Sequence, residues 1–147
     1  MTPEAALPPL TAERLGDIFS SGPFTVEVFD SLVPYYAHDM VFADPIQTLR
    51  GRDAFVELNH RLISRVKYLR FEARGMAQER DQIFLAWLMI VGPKPFGPEI
   101  RIEGVTHCTL RDGKVVVHRD HWDLVGSLMG TIPVVGSLYK AAVRLLG

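Results

Sequence analysis

The chain has little cysteine: Cys108 is the single one among 147 residues, so an internal disulfide is excluded. A thiol without a partner is typical of reducing compartments, and we expect a cytoplasmic protein. The first 15 residues lack the basic start and the continuous apolar run of an export signal. The longest apolar run covers residues 83–91, which is too short to cross a bilayer.

Charge of one sign is also scarce. The formal net charge is -1 and no basic stripe is present, so the sequence gives no reason to expect binding to nucleic acid or to a membrane surface. The histidines do not fall in a metal-ligand spacing with cysteine, and glycine-rich phosphate loops are missing. We therefore expect neither a metal nor another cofactor.

What the sequence does contain is enough apolar material for one core. Hydrophobic residues make up 48% of the chain and charged residues 22%, as in soluble globular proteins. No repeat or linker divides the chain, and its length suffices to bury roughly two thirds of the unfolded surface. The sequence predicts a single domain over residues 1–147, with residues 126–147 as a C-terminal helical tail.

Two helices are predicted near the N-terminus. Residues 11–20 have helical spacing of apolar side chains behind a threonine that can serve as N-cap. A second helical pattern starts at Thr25 but meets Pro34, which a helix interior does not accept without a kink. We expect a new helix start capped by Asp30 or Ser31, which would place Pro34 in a first turn.

The most amphipathic stretch covers residues 51–69, with Phe55, Leu58 and Leu62 on one face, and it predicts a third helix. Residues 41–44 before it resemble a strand that ends at a proline. Four strands are predicted after it, at residues 69–78, 82–91, 99–110 and 114–122.

The turn between the last two of these strands is Asp112-Gly113, a sequence typical of tight hairpins because both positions favour positive φ. The strands therefore form an antiparallel meander, and the helices come first. This order predicts an α+β fold, a curved antiparallel sheet wrapped on one face by helices. Such a sheet forms a cup that can hold a ligand.

The C-terminal tail contains an apolar stripe and, on another face, Lys140 and Arg144. Two basic residues supply little attraction to a membrane surface, so membrane binding is not our expectation. We expect the tail to close the mouth of the cup.

Two motifs carry a family resemblance: YYAHDMVFADPIQTLRGRDAF at residues 35–55 and GKVVVHRDHWDLV at residues 113–125. Over residues 11–125 the chain resembles the nuclear transport factor 2-like superfamily, and within it the SnoaL-like polyketide cyclases, the ketosteroid isomerases and the limonene epoxide hydrolases. The resemblance implies the cup fold, and a hydrophobic small molecule as partner.

Alternation along the last strand places His118, Asp120 and Trp122 on one face and Val115 on the other. The resemblance implies that Asp120 faces into the cup as a catalytic carboxylate. His118 would orient it and Trp122 would shape the cup. The alternative is a purely structural ion pair between His118 and Asp120 at a strand end, with Trp122 as ordinary core.

A second candidate carboxylate is Asp44, which precedes Pro45 and could simply end a strand. Ketosteroid isomerases carry their general base in a similar Asp-Pro, so the resemblance implies a catalytic role instead. Phe42 would lie beside it on the same face. If Asp44 and Asp120 both face an apolar cup, one can serve as base and the other as proton donor.

The chain also departs from these families. The oxyanion donors of ketosteroid isomerases would fall on Phe19 or Ser20 and on Thr106, and the residues that position water in the epoxide hydrolases on Phe42 and Asp44. The cyclases need chiefly one aspartate on the last strand, which this chain has. The cup would be shaped by Phe42, Trp87, Thr106 and Trp122.

We therefore predict acid–base catalysis by Asp120 and Asp44, with His118, through proton abstraction and return on a hydrophobic carbonyl-bearing substrate. Limonene-type epoxide hydrolysis and non-catalytic binding of a hydrophobic ligand are the alternatives.

A homodimer is also predicted from the strand pattern. The face opposite the cup would carry Val105, Val115, Val117, His107 and Arg119, and no helix is left to cover it. A symmetric contact through this face would bury it.

Overall fold

The computed structural model describes residues 6–129 and 133–146. In chain order, the elements are α1 (Ala12–Phe19), α2 (Val26–Leu32), β1 (Tyr36–Ala43), β2 (Thr48–Arg50), α3 (Arg52–Arg65), β3 (Val66–Glu79), β4 (Gln82–Pro93), β5 (Ile100–Arg111), β6 (Lys114–Trp122), α4 (Leu124–Met129) and α5 (Pro133–Leu146). The predicted α+β class is confirmed.

The first two helices begin at threonine caps, because a threonine hydroxyl can accept a hydrogen bond from an otherwise unpaired backbone N–H of the first turn. Thr11 caps α1 as predicted. The prediction for the second helix was wrong: α2 is capped by Thr25 and runs through Asp30 and Ser31 without a new start. Pro34 lies in a separate 3-10 turn that follows α2 directly, where its missing N–H costs nothing.

The strands form one sheet in the order β2-β1-β6-β5-β4-β3. The predicted meander from β3 to β6 is antiparallel throughout, and its last turn has φ of 53° at Asp112 and 76° at Gly113. However, β1 pairs with β6 in parallel, with Phe42 opposite His118, so the sheet is mixed and not purely antiparallel. Parallel neighbours need a long crossover connection, and here it consists of everything from β2 to β5.

A bulge in β6 corrects one face assignment. The pairing with β5 shifts between Thr109–Val117 and Leu110–Val115, which leaves an extra residue in β6. An extra residue reverses the alternation on either side of it. Val115 was predicted on the outer face but is fully buried in the core, so it is not part of the proposed dimer surface.

The concave face of the sheet carries the core, and the N-terminal helices pack on it. The Phe19 ring of α1 lies 4.9 Å from the Phe71 ring of β3, and the Phe55 ring of α3 lies 5.1 Å from the Phe42 ring of β1. Trp87 of β4 joins the same cluster, 5.5 Å from Phe71. Helices and sheet thus enclose an aromatic interior between them.

The tail begins on the other side of the sheet. Asp123 caps α4 by accepting the backbone N–H of Gly126 at 2.8 Å. Gly126 borders a shallow depression together with Leu88 and Arg101, which alternate along their strands with the core-facing Trp87 and Ile102. In α5, the described side chains of Leu138, Leu145 and Leu146 are exposed. Within the described residues, no helix has the length and apolar character needed to span a membrane.

Candidate functional site

A cavity of about 310 Å³ lies between the concave face and helices α1, α2 and α3. This volume is at the lower end of roughly 300–1,000 Å³ for small-molecule sites, so a compact ligand fits it best. The lining is mostly apolar and rich in aromatic side chains. It includes every residue that the sequence singled out for the site: Phe42, Asp44, Trp87, Thr106, His118, Asp120 and Trp122.

One side of this cavity carries a continuous set of hydrogen bonds, which we call the polar wall: Tyr36, Trp87, Thr106, His118 and Asp120. The indole Nε1–H of Trp87 donates to Thr106 Oγ1 at 2.8 Å, and Thr106 donates to Asp120 Oδ1 at 2.6 Å. His118 Nε2 lies 2.9 Å from the same Oδ1, and His118 Nδ1 lies 2.8 Å from the Tyr36 hydroxyl. The network therefore crosses four strands.

Strand register explains why these side chains meet. Thr106 and Asp120 are direct partners between β5 and β6, and Trp87 is paired with Gly104 on β5. A Cβ atom on Gly104 would lie 2.4 Å from the Trp87 ring. Because that atom is absent, the Trp87 indole can lie across β5 and reach Thr106.

The direction of each hydrogen bond in the wall can be deduced. The Thr106 oxygen accepts from Trp87, so its single hydrogen goes to Asp120. An ionised carboxylate has no hydrogen to give, so His118 donates through Nε2. In a neutral ring, Nδ1 then accepts from the Tyr36 hydroxyl, and this fixes the tautomer of His118.

His118 is buried, and burial by itself lowers the pKa of an imidazole. Its ionisable neighbours, Tyr36, Asp120 and Cys108, outweigh burial and hold the pKa of His118 well above its usual range. We attribute the rise to the hydrogen-bonded carboxylate of Asp120. Burial raises the pKa of Tyr36, so this residue stays a phenol at neutral pH. The wall therefore holds an imidazolium–carboxylate pair.

Asp120 keeps one oxygen for the cavity. Both hydrogen bonds that it accepts go to Oδ1, and none of the described residues donates to Oδ2. The side chain is 22% exposed, and it lines the cavity, so Oδ2 is open to a ligand there. The two interpretations of the sequence therefore do not exclude each other: Asp120 is paired with His118 and also faces the cup.

Asp44 also lines the cavity, but other donors hold it. Its Oδ1 accepts the backbone N–H groups of Ile46 at 2.8 Å and Gln47 at 2.9 Å, which makes a turn after β1. The last β1–β6 pair is Ala43 with Arg119, so Asp44 lies one step further, level with Asp120. The turn function of Asp44 is thus observed, and its cavity position leaves the second role open to experiment.

Several lining residues were not anticipated as part of the site. Tyr36 was not predicted as a site residue, but it lines the cavity and bonds to His118. Its contact depends on the parallel pairing of β1 with β6, for which the local sequence has no signal. Gln47 and Asn59 add amide groups to the lining, and Asn59 Nδ2 donates to the carbonyl of Phe55 at 2.9 Å.

Neither the tail nor a metal site contributes to this cavity within the part of the chain that the structure describes. Of the described residues, none after Trp122 lines the cavity, and α4 lies on the opposite face of the sheet, so closure of the mouth by the tail stays a prediction. Over the described ranges, no group of three or more His, Cys, Asp or Glu side chains is placed to hold a metal ion.

Comparison with known proteins connects this geometry to a family. The family model described as the SnoaL-like domain matches residues 19–118. No curated protein sequence matches the chain. An LEH-like epoxide hydrolase from M. tuberculosis superposes with a TM-score of 0.67 and 17% identity, covering 88% of this chain and 96% of that one.

Two further solved structures are similar to a comparable degree. One, from Jannaschia sp. CCS1, is described as a SnoaL-like polyketide cyclase, with a TM-score of 0.64, 18% identity, and coverage of 81% of this chain and 87% of that one. The other, from Catenulispora acidiphila DSM 44928, has a ketosteroid isomerase-like fold and is bound to trimethylamine. It has a TM-score of 0.64, 13% identity, and coverage of 79% and 86%. At such identities the likeness shows a shared fold.

Proposed function

Since this chain belongs to the family of SnoaL-like domains, within the nuclear transport factor 2-like superfamily, we propose that it is an acid–base enzyme of the isomerase or cyclase type. Its substrate is a hydrophobic molecule that carries a carbonyl group. The observation that supports this most is the state of Asp120, whose Oδ1 is held by two donors while Oδ2 is open to an aromatic cavity.

In this proposal Asp120 is the catalytic acid–base group. Its Oδ2 takes a proton from a carbon next to the substrate carbonyl and returns it at another position. His118 is a positioning residue, since its imidazolium holds Oδ1 and balances the carboxylate charge. Phe42, Trp87 and Trp122 shape the apolar surroundings, and Thr106 fixes the rotation of the carboxylate.

Asp44 is proposed as the second acid–base group, at the same level of the sheet as Asp120. Its Oδ1 is committed to the turn, and no described residue donates to its Oδ2. In place of return by Asp120, Asp44 would give a proton of its own to the second carbon, and solvent would then carry the proton held by Asp120 back to Asp44, so that the substrate stays in one position.

Deuterium exchange tests the proposal without knowledge of the natural substrate. A series of cyclic ketones with one to four rings, 2-decalone among them, is incubated with the protein in D2O, and exchange next to the carbonyl is followed by mass spectrometry. We expect the parent to accelerate exchange and Asp120→Asn to lower the rate about 10²- to 10⁴-fold. Asp123→Asn, a change outside the cavity lining, is the matched control and should exchange like the parent.

Three outcomes would contradict this function. An Asp120→Asn variant that exchanges as fast as the parent would remove Asp120 from the chemistry. A parent that binds the ketones but exchanges none of them would favour non-catalytic binding. Hydrolysis of an epoxide on the same ring systems, without ketone exchange, would favour the epoxide hydrolase alternative.

The protein is further proposed to be a cytoplasmic homodimer. Phe84 and Val105 on the outer face are 38% and 36% exposed, and the Phe84 ring stacks on His107 at 4.4 Å. A symmetric contact would bury this partly apolar face. The buried single thiol of Cys108 supports a reducing compartment. Sedimentation should show a dimer at micromolar concentration, and a monomer there would contradict the proposal.

A further inference from the structure

The hydrogens next to Asp120 in the polar wall are already used. The indole hydrogen of Trp87 goes to Thr106, the hydroxyl hydrogen of Thr106 goes to Asp120, and the Nε2 hydrogen of His118 goes to Asp120 as well. The Tyr36 hydroxyl is engaged with His118 Nδ1. The His118 imidazolium donates from Nδ1 to the Tyr36 oxygen, so one hydrogen of the wall is left over, that of the buried Tyr36 hydroxyl. At Asp120 the wall offers a ligand an acceptor, the Oδ2 atom.

The charges around the cavity agree with an acceptor site. Its charged lining residues, all within the described part of the chain, are Asp44, Asp120 and His118. The imidazolium of His118 is already paired with Asp120, and no lysine or arginine is among the lining residues. A carboxylate or phosphate ligand would meet two carboxylates in an apolar cavity, which costs free energy without compensation.

We propose that the ligand of this cavity is an uncharged, hydrophobic molecule that carries a hydroxyl group and donates its hydrogen to Oδ2 of Asp120. A hydroxyketone would meet this requirement and also carry the carbonyl group that the proposed chemistry needs. The inference rests on the proposed function, because it takes the cavity as the functional site and Asp120 as its principal carboxylate.

The substitution Asp120→Asn tests whether the ligand donates a hydrogen bond to Oδ2. Thr106 and His118 both donate to Oδ1, so the side-chain carbonyl oxygen of an asparagine would have to take that place. Its amide nitrogen would then stand where Oδ2 stands and present hydrogens to the cavity. The substitution Asp120→Asn thus converts the open acceptor into a donor with little change in shape.

The experiment compares three probes with one carbon skeleton: decahydro-2-naphthol, 2-decalone and decahydronaphthalene-2-carboxylate. Binding is followed by tryptophan fluorescence, since both tryptophans of the chain line the cavity. For the parent we expect the alcohol to bind about 10- to 100-fold more tightly than the ketone, and the carboxylate to bind most weakly. For Asp120→Asn we expect the ketone to bind at least as tightly as the alcohol.

Asp123→Asn is the matched control, because Asp123 is an aspartate outside the cavity lining. It should keep the preference for the alcohol. Loss of the preference in Asp44→Asn but not in Asp120→Asn would overturn the assignment to Asp120.

The parent series also tests the proposal without any variant. Equal binding of alcohol and ketone, or tightest binding of the carboxylate, would overturn it. The outcome is separable from that of the proposed function. If ketone exchange depends on Asp120 but the alcohol is not preferred, only this inference fails. If the alcohol is preferred but the parent exchanges no ketone, only the proposed chemistry fails.

Discussion

Two histidine–aspartate pairs lie in different surroundings of the same molecule. His118 and Asp120 are 2.9 Å apart beside the cavity, with side chains 6% and 22% exposed. His60 and Asp30 are 2.6 Å apart between α3 and α2, with side chains 39% and 49% exposed. The shorter contact is the more solvated one. A short distance between a histidine and an aspartate is therefore a poor guide to function, and burial distinguishes the two pairs.

The pairs also differ in the further contacts that their residues make. Asp120 shares its Oδ1 with Thr106, and the second nitrogen of His118 bonds to Tyr36, so the buried pair belongs to a network across the sheet. The His60 ring packs edge-on to Phe29 at 5.7 Å and otherwise joins two helices at the surface. Solvent reaches both partners there, whereas the side chain of His118 beside the cavity is buried.

The largest expected effect is the loss of stability when His118 is removed, compared with the removal of His60. His118→Leu leaves a carboxylate without its counter-charge and a buried hydroxyl without its partner, and should lower the free energy of unfolding by about 3–5 kcal/mol. His60→Leu breaks a solvated pair and should cost about 0–1 kcal/mol. Urea unfolding of both variants at neutral pH measures the difference. Equal losses would mean that burial does not distinguish the pairs.

A pH series sharpens the same comparison. The folded-state pKa of His118 is raised above its usual 6.5, so protonated His118 stabilises the fold. This contribution is fully present below about pH 6.5 and is lost as pH rises through the raised pKa. The parent should therefore lose stability relative to His118→Gln from about pH 6.5 upward, by at most about 1.4 kcal/mol per pH unit. Urea unfolding across this range measures it, and parallel profiles would contradict the imidazolium assignment.

The smallest effect concerns Tyr36. Tyr36→Phe removes the partner of His118 Nδ1 and should cost about 0.5–1.5 kcal/mol. It should also let the ring of His118 sample its second tautomer when neutral, which the NMR shifts of the ring carbons report. Tyr35→Phe is the matched control, because Tyr35 is buried next to it but lies outside the polar wall. A change in the His118 ring shifts with both variants would mean a general loss of packing.

Much of the fold was predictable because its signals are local. The cap of α1 at Thr11, the amphipathic pattern of α3 and the Asp112-Gly113 turn each depend on a few neighbouring residues. The parallel pairing of β1 with β6 joins residues that are far apart in the chain, and no local pattern encodes it. The bulge that places Val115 in the core could not be predicted either, because a bulge is defined by the pairing with the partner strand.

The site was predictable to the extent that strand alternation holds. His118, Asp120 and Trp122 follow the bulge, so alternation from there to the end of β6 places them together in the cavity. The hydrogen bond from Tyr36 could not be predicted, because it requires the β1–β6 pairing. The choice of Oδ1 as the shared acceptor could not be predicted either, since it depends on side-chain rotation against Thr106.

The absence of a side chain at Gly104 affects both the size of the cavity and the hydrogen bonds that orient Asp120. Trp87 occupies the space that a side chain at this position would need, and the same indole starts the hydrogen bonds that end on Asp120. A single added methyl group would push the indole away from Thr106, narrow or reshape the interior, and remove the donor that holds the Thr106 hydroxyl in the orientation that points its hydrogen at the carboxylate. Natural variation at this position would therefore change which molecules fit and how the carboxylate is oriented in one step, so these two properties cannot evolve independently there.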